Sequence, residues 1–390
     1  MFEKDQESLK ALGAEITTGE IMQQPELWEE VIKGYQEKQA EIEDFLGKIT
    51  ESHGKVKVLF SGAGTSAFVG ETVLPFVSEV SEASRFDFAI APTTSVVSNP
   101  HSFYQADVPT ILVSYARSGN SPESLATVEL GKKLVKDFYQ ITITCAAEGK
   151  LAMNAQGDKN NLLLLMPSKA NDQGFAMTGS FTCMTLMSLL VFDQASLTNK
   201  VANVSQIVQL GREVLSREAE IAAFVAKDFQ RVVYLGSGAF AGLAREVQLK
   251  ILELTAGKIS TLFDSSLGFR HGPKSFVDEN VLVFVFTSNN SYTRQYDIDL
   301  LNEVAGDEIA PLVCGISIEG DINFAGTNMQ FSKEYQQLPD GYLSIPFAIF
   351  GQTLALLTAI KVGNKPDTPS PTGTVNRVVQ GVTIYDNLTQ

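Results

Sequence analysis

Phe60-Ser61-Gly62-Ala63-Gly64-Thr65 and Tyr234-Leu235-Gly236-Ser237-Gly238-Ala239 decide the reading of this 390-residue chain. Each carries an apolar run into Gly-x-Gly and then into a helical stretch, and the two align position for position. A glycine pair between strand and helix lets the backbone turn sharply and aims the first helical amides outward. Around the first lie KVKVLF (55–60), RFDFAIA (85–91), TILVSYA (110–116), YQITITCA (139–146) and NLLLLMP (161–167), with a helix spanning Ser124 to Lys136. Around the second lie RVVYLGSG (231–238), VLVFVFTSN (281–289) and PLVCGIS (311–317), ending on a long helix from Leu343. Apolar strands alternating with amphipathic helices imply a parallel sheet covered on both faces. The expected fold class is therefore α/β, two tandem three-layer copies behind an N-terminal helical segment. The expected boundaries are 1–50, 51–200 and 201–390, with a helical connector from Leu197 to Lys227.

Residues 1–51 hold thirteen acids and five bases, more than half of the net charge of -15. Such a balance repels a phosphate backbone, so nucleic acid is not an expected partner. In this segment Thr17-Thr18-Gly19-Glu20 reads as a capping box, and Pro25 opens a helix carrying Leu27, Trp28, Val31 and Ile32. Cys145, Cys183 and Cys314 are odd in number and sit in apolar runs, the usage of a reduced, cytoplasmic protein. The start, MFEKDQESLK, has no signal-peptide core. Leu343 to Ile360 reaches membrane-spanning length, but Pro346, Gly351, Gln352 and two threonines point to a buried or interface helix, and no membrane association is expected.

Ser61 to Ser66 is neither a dinucleotide fingerprint, because Ala67 stands where the third glycine would be, nor a P-loop, because no lysine follows. Its amides and hydroxyls suit an anion. After TILVSYA, Arg117-Ser118-Gly119-Asn120-Ser121-Pro122-Glu123-Ser124 repeats the pattern, and two hydroxyl-rich loops at strand carboxyl ends converge where open α/β sheets bind ligands. A phosphomonoester would fit without a metal. The matching loop of the second copy, TSNNSY, lacks the Ser-Gly pair. There the chemistry is acid and base: Glu246, Lys250 and Glu253 share one helical face at i, i+4 and i+7, and His271 stands between Arg270 and Gly272-Pro273. His53 reads as a solvated loop residue, and His101 as a loop residue within possible reach of a ligand. No histidine or cysteine spacing suggests a metal site, and no cofactor is expected.

These residues resemble the sugar isomerase (SIS) domain family, in the tandem arrangement of the isomerase half of glucosamine-6-phosphate synthase. The resemblance runs from Thr17-Thr18-Gly19-Glu20-Ile21 through both hydroxyl loops and Phe269-Arg270-His271-Gly272-Pro273-Lys274 to Val375-Asn376-Arg377-Val378-Val379-Gln380-Gly381-Val382. It implies that the first copy holds a sugar phosphate through Gly64, Thr65, Ser66, Arg117, Ser118, Gly119 and Ser121. It further implies that Glu253 moves the proton between C1 and C2, that Glu246 and Lys250 support it, and that His271 opens the ring, often across a dimer. Gln380 stands where the synthase has a lysine, which argues against the synthase reaction. The implied activity is aldose–ketose isomerisation of a hexose or hexosamine 6-phosphate, with galactosamine 6-phosphate to tagatose 6-phosphate and ammonia as the expected case. Simple tagatose-6-phosphate isomerisation and a non-catalytic sugar-phosphate sensor are the alternatives, and the intact Glu253 and His271 weigh against the sensor. A homodimer or larger homo-oligomer is expected.

Overall fold

The computed structural model describes residues 1–379 and 381–385. Three helices come first, α1 (Gln6–Leu12), α2 (Glu15–Met22) and α3 (Gln24–His53), the last with Pro25 in its first turn. The first sheet follows as β1 (Val56–Ser61), α4 (Thr65–Val80), β2 (Phe86–Ile90), α5 (Thr93–Ser98), β3 (Thr110–Ala116), α6 (Pro122–Leu134), β4 (Phe138–Thr144), α7 (Lys150–Ala155) and β5 (Asn161–Leu165). α8 (Gly179–Phe192), α9 (Leu197–Ser216) and α10 (Glu218–Val225) lead to the second. That sheet is built from β6 (Arg231–Gly236), α11 (Ala239–Leu254), β7 (Ser260–Asp264), β8 (Val281–Phe286), α12 (Ser291–Gly306), β9 (Leu312–Ile318) and β10 (Thr327–Phe331), and α13 (Asp340–Lys361) closes it.

Both sheets are five-stranded and parallel, ordered β2-β1-β3-β4-β5 and β10-β9-β8-β6-β7. Read from its own first strand, the second order repeats the first, so the sequence copies are topological copies. Alternate residues along each strand feed opposite faces. Val58 and Phe60 of β1 join Val232 and Tyr234 of β6 in one core running through α4, α8, α11 and α13, whereas Leu59 and Leu235 fill separate outer clusters. Only glycine at 242 lets α11 approach so near, since a Cβ there would lie 2.5 Å from the Thr72 backbone nitrogen of α4.

The structure adds two strands that the sequence pattern misses, β7 (STLFD) and β10 (TNMQF). Both lie at sheet edges, are only partly buried and carry polar residues that break an apolar run. It also corrects the capping box. α2 begins at Glu15, and Thr17 lies inside it, its amide (2.8 Å) and hydroxyl (2.7 Å) donating to Asp367 from the far end of the chain. The apolar stretch from Leu343 lies in α13, whose residues Gly341 to Leu356 are all buried.

Candidate active site

The order of the first sheet reverses between β1 and β3, the switch point at which crevices open in such folds. Gly64 caps α4 with φ 55° and ψ −131°, and Gly238 caps α11 with φ 58° and ψ −125°, a region that only glycine occupies freely. Thr65 and Ser66 open α4 and are buried, 4% and 7% exposed, so their hydroxyls answer to what the crevice holds rather than to bulk water. Among the described residues the Ser66 hydroxyl meets only the Met177 sulfur, at 3.9 Å. On the second loop Ser118 Oγ accepts from the Asn120 amide at 3.3 Å, Gly119 has φ 68°, and Ser121 caps α6 with its hydroxyl 2.7 Å from that of Ser124.

Lys250 joins the copies. Its ammonium donates to Thr65 Oγ1 at 2.9 Å and to Glu253 Oε2 at 2.8 Å, and pairs with Glu246 Oε1 at 3.3 Å. Lys250 and Glu246 are sealed, 1% and 0% exposed, whereas the Glu253 side chain keeps 24%, so it is the carboxylate that a bound molecule can touch. Burial alone would push the Lys250 ammonium down, but the charges of Glu246 and Glu253 outweigh it and raise it above its ordinary value. Burial pushes Glu246 up to about 7 against the pull of Lys250, whose ammonium lies near Oε1 but out of hydrogen-bond geometry, and among the described residues neither of its oxygens accepts a well-aligned hydrogen bond.

Arg117, beside Ser118, turns part of its guanidinium toward backbone carbonyls. Its guanidinium donates to the carbonyls of Gly174 (3.3 Å), Phe175 (3.1 Å) and Arg377 (2.7 Å) and is buried. Burial, and then the nearby Arg377 charge, lower it from its ordinary value. His271 is exposed beside Gly272, while its neighbours Arg270 and Lys274 are tied to Glu303 at 2.6 Å each. Among the described residues no hydrogen bond joins His271 to the Lys250 group, and Gln380 lies outside those residues. His53 bonds the Tyr139 hydroxyl at 2.9 Å and His101 is exposed. No group of three or more His, Cys, Asp or Glu side chains is placed to hold a metal among the described residues.

The second copy shows why its own switch point differs. Asp297, fully buried on α12, accepts from the Ser237 hydroxyl (2.6 Å), the Ser266 hydroxyl (2.5 Å) and the Ser288 amide (3.0 Å). A carboxylate of the chain itself takes the donors that an anion would use. The sequence pattern also passes over the turn Asn171–Thr178, which reaches the crevice through Met177. Its signal is the polar stretch Asn171-Asp172-Gln173-Gly174 shortly before the Thr178-Gly179-Ser180 start of an apolar helix: Asp172 accepts from the amides of Thr178, Gly179 and Ser180 at 2.8, 3.1 and 2.9 Å.

Tandem copies with one open hydroxyl crevice define a double SIS-domain protein. No family model matches the chain. It is 40% identical over 373 residues to D-galactosamine-6-phosphate deaminase AgaS of Escherichia coli, covering 95% of each chain. A crystal structure from Clostridium novyi NT, described provisionally as a tagatose-6-phosphate ketose/aldose isomerase, superposes with a TM-score of 0.92 at 41% identity over 99% of both chains. That of tagatose-6-phosphate ketose/aldose isomerase from Escherichia coli gives 0.85 at 36% identity over 95% of this chain and 96% of the other. The chain belongs to the AgaS family of SIS proteins.

Proposed function

We propose that the protein converts galactosamine 6-phosphate and water into tagatose 6-phosphate and ammonia. One observation carries this reading: Lys250 binds both Thr65 of the hydroxyl loop and Glu253 of the acid–base helix, which sets a carboxylate beside the phosphate crevice. Residues 51–200 then supply the anion site and residues 201–390 the chemistry. His271 opens the ring, exposing C1 as an aldehyde. Glu253 takes the C2 proton as C1 oxygen gains one, giving an enolamine, and returns a proton to C1. The resulting C2 iminium adds water and expels ammonia, leaving the ketone. The names of the two solved relatives favour a second reading, in which the same carboxylate interconverts tagatose 6-phosphate and its aldose. Ammonia release from galactosamine 6-phosphate and glucosamine 6-phosphate, assayed side by side, tests the proposal; isomerisation of tagatose 6-phosphate with no ammonia from either amino sugar would select the second reading.

Ser118 and Ser121 flank the same crevice, and replacing both with alanine should raise KM far more than it lowers kcat, because a phosphate is bound alike in ground and transition states. An unchanged KM in steady-state assays would remove both from the phosphate site.

The exposed His271, with flanking cations tied back to α12, suits a residue offered to a neighbouring subunit, and we assign a homodimer in the cytoplasm, where the three buried free cysteines stay reduced. Co-expressing His271→Ala with Glu253→Gln in equal amounts should then yield hybrid dimers with one intact site of two, and the mixed sample about a quarter of normal activity. A fully active monomer in sedimentation, or no activity in the mixed sample, would place both groups in one subunit.

A further inference from the structure

The turn Asn171–Thr178 lacks regular structure over most of its length, yet three charged side chains from distant parts of the chain, and one of its own, hold its backbone. Glu20 on α2 accepts from the amides of Gln173 and, at 3.1 Å, Gly174. Arg117 donates to the carbonyls of Gly174 and Phe175, and Arg377 Nε to that of Asp172 at 2.9 Å. Asp172 itself gathers the amides that open α8. Two acids and two arginines cancel in charge, and their hydrogen bonds go to backbone groups that otherwise have no partner in a sheet or helix. The product of this arrangement is the position of Met177, whose sulfur lies 3.9 Å from the Ser66 hydroxyl.

We propose that Glu20 is a positioning residue, which with Arg117 shapes the 171–178 turn as the wall of the sugar-phosphate crevice. It assigns a task to Thr17-Thr18-Gly19-Glu20, whose glutamate caps no helix, and to Arg117, whose guanidinium is committed to carbonyls. Gly174 belongs to the same device: a Cβ there would lie 2.8 Å from Glu20 Oε2, so a larger residue must push the carboxylate aside. Burial, and then the Asp172 charge, push Glu20 up to about 7, as for an acid kept buried for its hydrogen bonds. The proposal rests on reading this crevice as the phosphate site.

Two variants test it. Glu20→Leu removes the acceptor from both backbone N–H donors at similar volume, and Gly174→Ala pushes the carboxylate away from the other side. Each should raise KM for galactosamine 6-phosphate by on the order of 10-fold to 10²-fold with kcat changed much less, as expected when a binding wall is displaced by a fraction of an ångström. Hydrogen exchange without substrate should quicken at the amides of Gln173 and Gly174 and stay slow in β1 and β3. Normal KM and protected amides in either variant would overturn the proposal, as would faster exchange spread evenly over both sheets, which marks a general loss of stability. Because exchange is read without substrate, a wild-type protein that releases no ammonia would overturn the function and leave the positioning role standing.

Discussion

Glu253→Gln should bind sugar phosphate and turn it over more slowly by a factor on the order of 10² to 10⁴, the usual loss when a positioned general base is removed. The amide keeps the size of the side chain and its bond to Lys250 Nζ through an oxygen, so the helix and the phosphate loop stay joined. What disappears is the capacity to take a proton from C2 and return one to C1. Glu246→Gln should cost far less turnover, because Glu246 is sealed and meets Lys250 rather than the crevice. Single-turnover measurements with bound substrate separate the two. Near-normal turnover in the Glu253 variant with a dead Glu246 variant would exchange their roles.

The second large effect is on stability. Glu246 is held at about 7 in the folded chain against an ordinary value of 4.5, with burial as the main cause. An acid raised on folding binds more protons in the native than in the unfolded state between those values, so it lowers stability as pH rises from about 4.5 to about 7. Above pH 7 the penalty is on the order of 3 kcal/mol, and below pH 4.5 it vanishes. Glu246→Gln should therefore melt higher than wild type at pH 8 and almost together with it at pH 4, while Glu253 continues to pair with Lys250. Equal melting curves at pH 8 would show that Lys250 fully compensates the buried charge.

The elements legible in the sequence are those that tertiary contacts leave little freedom. β1, β3, β4 and β8 are buried on nearly every residue and so read as largely apolar, β-branched or aromatic runs, whereas β7 and β10 gain their extended shape only by pairing at an edge. The Glu246, Lys250 and Glu253 stripe follows from helical spacing alone. Its link to Thr65 does not, because that bond spans two copies of the fold. Thr17 misleads for the same reason: its partner, Asp367, lies almost the whole chain away. An arginine beside Ser118 suggests phosphate, and only the folded turn at 174 and 175 shows where its donors go.

The buried Asp297 has a consequence for how the duplicated halves share their duties. Donors that ligand would have to satisfy in the first copy are satisfied in the second from birth, by Ser237, Ser266 and Ser288 meeting a covalently tethered carboxylate. The second half thus needs no ligand to satisfy these donors. If the 62–66 and 117–121 loops hold the phosphate as proposed, phosphate binding falls to one half alone, and the stabilisation by a saturating ligand, about 2.7 kcal/mol at a hundredfold excess over Kd, would enter through those loops. On this reading, duplication has yielded a phosphate receptor and a catalytic partner from the same architecture.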